Sequence, residues 1–372
     1  MDDLSAPPST DRPDTNRPEQ VSPLAQARAL DPARYVGSEA LRFDQGEVLS
    51  RGWQVVAPVS SLAAPGDHVV REIGGVPILL VRNGEGALNG FLNICRHRAG
   101  PLALCDGKGA KRLRCAYHGW AYDLDGQLRS APEMQAAEDF DVAGIALERI
   151  EVEIWGGMVF ARIRSGPSFV DVMAGLDDIV GPDRLAGLKH HHSRLYDVAC
   201  NWKVYVDNYL EGYHLPFVHP DLTQIVSYPD YKTELARYWS LQRSPIDAET
   251  DAYAAGEALY FFIYPNTMLN ILPGRMQTNR VVPDGPDRCH VEFDFYYAPG
   301  QTGRAEADDA FSDRVQEEDR LICEHVQKGL ASGAYDPGRL SPSQEAGVWH
   351  WQNLLRDAMP IPADGRRVRG DR

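Results

Sequence analysis

No stretch of this 372-residue chain approaches the ~18–20 consecutive apolar residues that cross a bilayer as a helix, so no membrane association is expected. The opening residues, MDDLSAPPSTDRPD, carry neither the basic region nor the apolar run of a secretory signal, and the cytoplasm is the expected location. Positive charge is scarce: 38 Lys and Arg against 53 Asp and Glu leave a net charge of −15. That balance repels nucleic-acid phosphate and anionic headgroups, which excludes nucleic acid as an expected partner. Cysteine is sparse too, with six residues; in a reducing compartment these are packed or metal-bound rather than paired as disulfides. A Gly-rich phosphate loop of the GxGxxG or GxxxxGK type after a strand is also missing, which speaks against a nucleotide-binding domain. What is present is ordinary globular material, 43% hydrophobic and 24% charged, enough for two to three domains at roughly 150 residues each.

Residues 1–30 are rich in Pro, Ser, Asp and Arg without periodicity, and residues 361–372 look the same; both are expected to be disordered tails. Between 45 and 165 the pattern is short and strand-like, with runs at Val76 to Val81, Leu88 to Ile94, Ile150 to Trp155 and Met158 to Ile163, and turns at Asn83-Gly84 and Asp125-Gly126. An all-β module follows from it. From 166 to 358 the pattern is mixed: helical spacing at 170–180 and 202–214, strands at 257–264 and 290–298, and one long helix from Asp308 to Leu330. The fold class is α+β.

Inside the β module, Cys95-Arg96-His97 is followed after seventeen residues by Cys115-Ala116-Tyr117-His118, each pair flanked by turn formers (Gly100-Pro101 and Gly119-Trp120). Two matched loops of this kind present two thiolates and two imidazoles. A zinc site of the Cys2His2 type uses those ligands, although usually in C-x2–4-C and H-x3–5-H pairs. One Cys and one His per loop suits a Rieske [2Fe-2S] cluster, in which one iron takes the thiolates and the other the imidazoles. Cys105, Cys200, Cys289 and Cys323 lack such company and read as structural.

A second constellation lies in NWKVYVDNYLEGYHLPFVH, residues 201–219. On a helix, Asp207, Glu211 and His214 share one face. Pro216 disfavours further helix, leaving His214 in the last turn and His219 in the loop beyond it. An intact helix would hold those two imidazoles ~140° apart, and a bend brings them together. A third, anionic ligand would complete the facial two-His, one-carboxylate site of non-heme Fe(II) enzymes. On the long C-terminal helix, Phe311, Val315, Ile322, Val326 and Leu330 form an apolar stripe; Asp319 falls about 36° from its mean direction and Glu318 about 64°. Asp319 is therefore the expected ligand, with Glu318 the alternative. The triplet His190-His191-His192 reads as a solvated loop, because successive residues do not converge on one metal.

CRHRAGPLAL…LRCAYHGWAYDLDGQL and the 201–219 stretch together resemble the large, terminal-oxygenase subunit of Rieske non-heme iron oxygenases, over residues of about 45 to 355. The resemblance implies a Rieske domain (45–165) followed by a catalytic domain (166–358) with an antiparallel sheet flanked by helices. It implies one [2Fe-2S] cluster on Cys95, His97, Cys115 and His118, and one mononuclear Fe(II) on His214, His219 and Asp319. Glu211 matches the carboxylate, Asp in many members, that links an iron-binding His to a cluster-binding His of a neighbouring subunit, here His214 to His118; Asp207 and Asn208 support it. A homotrimer is implied, as is a separate NAD(P)H-dependent reductase, with or without a ferredoxin, since no flavin or nicotinamide fold is visible.

The segments YFFIYPNTMLNILPGRMQTNRVVP and CHVEFDFYY, and Glu at 211, are similar to the branch acting on choline, betaine and carnitine. Tyr205, Tyr209, Tyr213, Tyr260, Phe261, Phe262 and Tyr264 offer ring faces for a cation. Oxidation of a methyl beside N+ would lead to demethylation or C–N cleavage. Hydroxylation of an aromatic or alicyclic ring is the alternative within the family. Outside it stand a Rieske electron carrier without oxygenase activity and a zinc-stabilised binding module.

Overall fold

The computed structural model describes residues 22–223, 225–226, 228–246 and 254–358. After a short helix α1 (Gly37–Phe43) come nine strands: β1 (Gln54–Pro58), β2 (His68–Ile73), β3 (Val76–Arg82), β4 (Leu88–Leu92), β5 (Leu113–Arg114), β6 (Ala121–Tyr122), β7 (Leu128–Ser130), β8 (Arg149–Trp155) and β9 (Met158–Arg162). Six of them form an antiparallel sheet in the order β1-β9-β8-β4-β3-β2, and β5-β6-β7 form a smaller one. The small sheet and the loops before it pack on Leu79, Val81 and Phe91 of the large one, enclosing Cys95, Cys115 and Trp120 in a separate apolar core.

Helices α2 (Phe169–Met173) and α3 (Leu176–Arg184) lead into β10 (Lys189–Val198). Three helices follow, α4 (Trp202–Tyr209), α5 (Leu215–Val218) and α6 (Pro220–Thr223). The chain then lays down β11 (Lys232–Leu235), β12 (Trp239–Ile246), β13 (Gly256–Ile263), β14 (Thr267–Leu272), β15 (Arg275–Pro283) and β16 (Cys289–Tyr297), and closes with α7 (Ala305–Ala331) and α8 (Ala346–Ala358). The seven strands pair antiparallel in the order β10-β16-β15-β14-β13-β12-β11.

Alternation along these strands divides the sheet into two faces. Leu241, Leu259, Phe261, Leu269, Ile271 and Met276 pack against α2, α3, Trp53 just before β1 and, from the first sheet, Val55, Met158 and Phe160. Phe262, Met268, Val281, Val291, Phe293 and Phe295 pack against α4 and, through Cys323 and Trp351, against α7 and α8. The expected α+β class, an all-β module followed by an antiparallel sheet with helices, is what the chain forms.

Three expectations fail locally. Residues 22–30 are not a loose tail: Ala27 and Leu30 are buried, and Trp349 and Arg356 donate to the carbonyls of Ser22 and Arg28; residues 1–21 and 361–372 lie outside the described ones. The helix expected at 202–214 stops at Tyr209. On α7 the buried residues are Ala305, Asp308, Phe311, Ser312, Asp319, Cys323 and Gln327, so the expected apolar stripe holds at Phe311 but not at Ile322 and Val326, which point outward. The helix buries polar side chains because they face bonding partners across it, as where Asn201 N–H donates to Gln327 Oε1 at 2.9 Å.

Candidate functional site

Two loops of the β module repeat one backbone pattern. Cys95 N–H donates to Gly100 O at 2.9 Å and Ala99 N–H to Cys95 O at 3.1 Å; Cys115 N–H donates to Trp120 O at 2.8 Å and Gly119 N–H to Cys115 O at 3.1 Å. The loops interlock, with Ala116 N–H donating to Pro101 O at 3.0 Å. A Cβ at Gly100 would sit 2.8 Å from Cys115 Sγ, so only glycine permits this approach. Both thiols are buried, and burial pushes that of Cys95 up, opposed by a 3.3 Å contact with the Tyr122 hydroxyl. The His97 and His118 rings lie 4.7 Å apart. Burial, then the His97 ring, hold the His118 imidazole below its ordinary range, in the neutral form a metal requires.

Nδ1 of His97 and of His118 are buried without a hydrogen-bond partner. Unpartnered buried nitrogens are costly, and a metal would satisfy both. One zinc does not fit the quartet: tetrahedral Zn ligands lie within ~3.8 Å of each other, and among the described residues the only His/Cys/Asp/Glu group with ligand atoms within 4.8 Å is elsewhere. Two thiols and two imidazoles spread around more than one ion suit a [2Fe-2S] cluster.

That compact group is His214, His219 and Asp319. Pro216 acts differently from the sequence expectation: it starts α5 at its second position, so His214 precedes the helix and His219 follows it. This single short turn places the ring centroids 5.1 Å apart. Asp319 Oδ1 lies 3.0 Å from His219 Nε2 and 3.9 Å from His214 Nε2, and accepts from Asn208 Nδ2 at 2.6 Å. Each ring is gripped by a carboxylate at its other nitrogen, His214 Nδ1 by Glu211 Oε1 and His219 Nδ1 by Glu318 Oε2, both at 2.7 Å. Burial alone would lower the His219 pKa, but the bonds to Asp319 and Glu318 outweigh it and raise it. Fixing Nδ1 frees Nε2 of each imidazole for a metal. Glu211 Oε2 accepts from the backbone N–H of Tyr213 and of His214, anchoring the carboxylate in the turn before α5.

A cavity of about 110 Å³ opens beside this triad. Leu215, Leu222, Val226, Phe311 and Val315 give it apolar walls, with Tyr205, Tyr209 and Tyr231 between them. Its floor is the second sheet, and there the apolar face turns polar. Gln242 pairs with Tyr260, Tyr260 with Asn270, and Asn270 with Gln277, so four polar side chains cross β12 to β15 in one row. Arg275 and Asn279 flank Gln277 on the same face, and all six line the cavity. Arg275 is paired with Asp308, whose other oxygen accepts from Tyr297 at 2.8 Å. The row was missed in the sequence because cross-strand pairing builds it; the alternation Arg275-Met-Gln277-Thr-Asn279 was its visible signal.

Asp207 is not brought to the triad. Because α4 ends two residues on, its side chain faces Tyr35 (2.5 Å) and Gln352 (3.0 Å), where burial pushes the carboxyl up to about 7. His190, His191 and His192 lie on strand β10 rather than in a loop, bulged against β16, with His192 2.8 Å from Asp309. Cys200, Cys289 and Cys323 are buried in the main core, whereas Cys105 is exposed and so does not pack as expected.

Residues 52–146 match the family "Rieske [2Fe-2S] domain" and residues 185–361 the family "Ring hydroxylating alpha subunit (catalytic domain)". The chain is 34% identical to a chloroplastic choline monooxygenase of Arabidopsis thaliana, over 91% of this chain and 85% of that one. It is 31% identical to the carnitine monooxygenase oxygenase subunit of Escherichia coli K12, covering 92% and 97%. The crystal structure of a quaternary ammonium Rieske monooxygenase superposes with a TM-score of 0.83 at 26% identity, covering 90% of this chain and 96% of that one. Naphthalene 1,2-dioxygenase from Rhodococcus sp. shares the fold, with a TM-score of 0.72 at 16% identity over 89% and 94%.

Proposed function

The chain belongs to the Rieske oxygenases, as a ring-hydroxylating alpha subunit carrying both domains of that family, and from this we propose that it is the terminal oxygenase that oxidises a quaternary ammonium compound with O2. It is an oxidoreductase with one Rieske [2Fe-2S] cluster and one mononuclear iron. In this reading it works in the cytoplasm as a homotrimer and receives electrons from a separate NAD(P)H-dependent reductase, with or without a ferredoxin. No described helix is long and apolar enough to cross a membrane.

Cys95, Cys115, His97 and His118 would hold the cluster, and His214, His219 and Asp319 the iron. When bound, the two centres supply single electrons and dioxygen activation, the chemistry needed to attack a C–H bond beside N+. The residues of the chain prepare the site for it. Glu211 and Glu318 accept from the far nitrogens of the two imidazoles and hold the rings in place. Asn208 turns Asp319 toward them. Tyr205, Tyr209 and Tyr231 in the cavity wall, with the Glu211 carboxylate, favour a cation there. Hydroxylation of an N-methyl group gives a hemiaminal that falls apart, hence demethylation or C–N cleavage.

The observation that carries the reading is the convergence of His214, His219 and Asp319 on a cavity with a polar floor. An electron carrier would leave that triad without a use, and an apolar ring would leave Gln242 Oε1 and Asn279 Oδ1 without partners. For the trimer, support comes from two exposed apolar rims, Leu104 and Tyr117 beside the cluster loops and Tyr213 and Phe217 beside Glu211. Glu211 then bonds His214 and, across the interface, His118 of the partner subunit. Assay of the iron-loaded chain with a reductase decides the function: oxidation of choline or carnitine with aldehyde release supports it, and turnover only of ring substrates contradicts it.

A further inference from the structure

The polar floor sets a condition on the far end of the substrate, beyond the ammonium group. Gln242 is 1% exposed, and its Nε2 donates to the Tyr209 carbonyl at 2.7 Å. A backbone carbonyl only accepts, so the amide cannot be turned over, and the oxygen must be the free end. That Oε1 is buried without a partner, and so is Oδ1 of Asn279, a residue 2% exposed. Both residues line the cavity. A buried acceptor without a partner beside the cavity calls for a donor on the ligand.

The floor gives a substrate carboxylate little to bind. Among the described lining residues Arg275 and Asp308 cancel as an ion pair, Glu211 is bonded to His214 and Asp319 faces the metal position, so apart from the two imidazoles the only side-chain cation is already engaged. A carboxylate placed against the Gln242 oxygen would set acceptor against acceptor, whereas a hydroxyl donates to that oxygen and still accepts from a neighbouring amide.

We propose that Gln242, with Asn279, determines specificity by receiving a substrate hydroxyl, so that the site takes a quaternary ammonium alcohol and rejects a quaternary ammonium carboxylate. This rests on the ammonium reading of the cavity. It is tested by titration calorimetry of the full-length, iron-loaded chain with choline, glycine betaine and tetramethylammonium. Choline should bind at least about tenfold more tightly than glycine betaine, and Gln242→Met should weaken choline by about tenfold while leaving tetramethylammonium unchanged. Glycine betaine binding as tightly as choline to the wild-type chain overturns the proposal, with no variant needed. Equal loss of choline and tetramethylammonium in Gln242→Met overturns it as well. If none of the three binds to protein with full iron content, the ammonium reading itself has failed, a result distinct from lost selectivity.

Discussion

Asp319 Oδ1 lies 3.0 Å from Nε2 of His219, while the preceding residue, Glu318, holds the other nitrogen of the same ring at 2.7 Å. Successive carboxylates on α7 therefore have separate tasks, one facing the metal position and one behind the imidazole. Asp319→Ala should lose the mononuclear iron and keep the cluster. Glu318→Gln should keep both, with iron affinity lowered about ten- to a hundredfold. Iron content after dialysis against a weak chelator separates the two; equal loss in both variants would contradict the division.

Glu211 contributes one oxygen to His214 and the other to the backbone of the turn. Glu211→Gln preserves the size of the side chain but removes its charge and one acceptor. Both metal centres should remain, and coupled turnover should fall by about a hundredfold. Single-turnover product yield from the prereduced protein checks this, and a yield equal to wild type contradicts it.

At Gly100 the missing side chain lets two loops close on the cluster position, 2.8 Å being too short for a Cβ beside Cys115 Sγ. Gly100→Ala should open the loops at a cost of about 1–3 kcal/mol and reduce cluster content. Visible absorbance per chain reads it directly; a fully coloured, equally stable variant would show that the loops tolerate the methyl group.

Asp207 supplies the pH dependence. Burial raises its folded pKa to about 7, against ~3.9 in the unfolded chain. Between those values the folded state holds a proton that the unfolded state has released, so stability falls as pH rises from about 4 to 7 and then levels off. Asp207→Asn removes this and should abolish ~3 kcal/mol of the fall between pH 5 and pH 8. The amide oxygen can still accept from Tyr35, and Gln352, whose Nε2 faces this position while its Oε1 has no partner, turns its amide over to accept from the new N–H. Denaturant midpoints at both pH values test it, and an unchanged difference would contradict it.

Local chemistry was legible in the sequence, and contacts between distant segments were not. Two Cys-His pairs in turn-flanked loops were enough to single out Cys95, His97, Cys115 and His118, because loops of four or five residues largely fix their own geometry. His214 and His219 were readable from Pro216, although it starts a turn rather than ending one. Asp319 was chosen with an apolar stripe that the structure breaks at Ile322 and Val326; what buries it is a polar face whose partners come from α4 and from the residues on either side of α5. Asp207 went wrong because periodicity carried α4 one turn too far, and no spacing rule shows that Glu211 bonds the backbone of the next turn. The floor of Gln242, Tyr260, Asn270 and Gln277 exists only once four strands are paired in register.

The central claim is that this chain assembles two separate iron centres. Iron and acid-labile sulfide per chain measure it most directly, in the wild-type protein and in His214→Ala. About three irons and two sulfides are expected, falling to two irons and two sulfides in the variant. A wild-type protein that stops at two irons, or one in which His214→Ala removes the sulfide as well, would contradict the account.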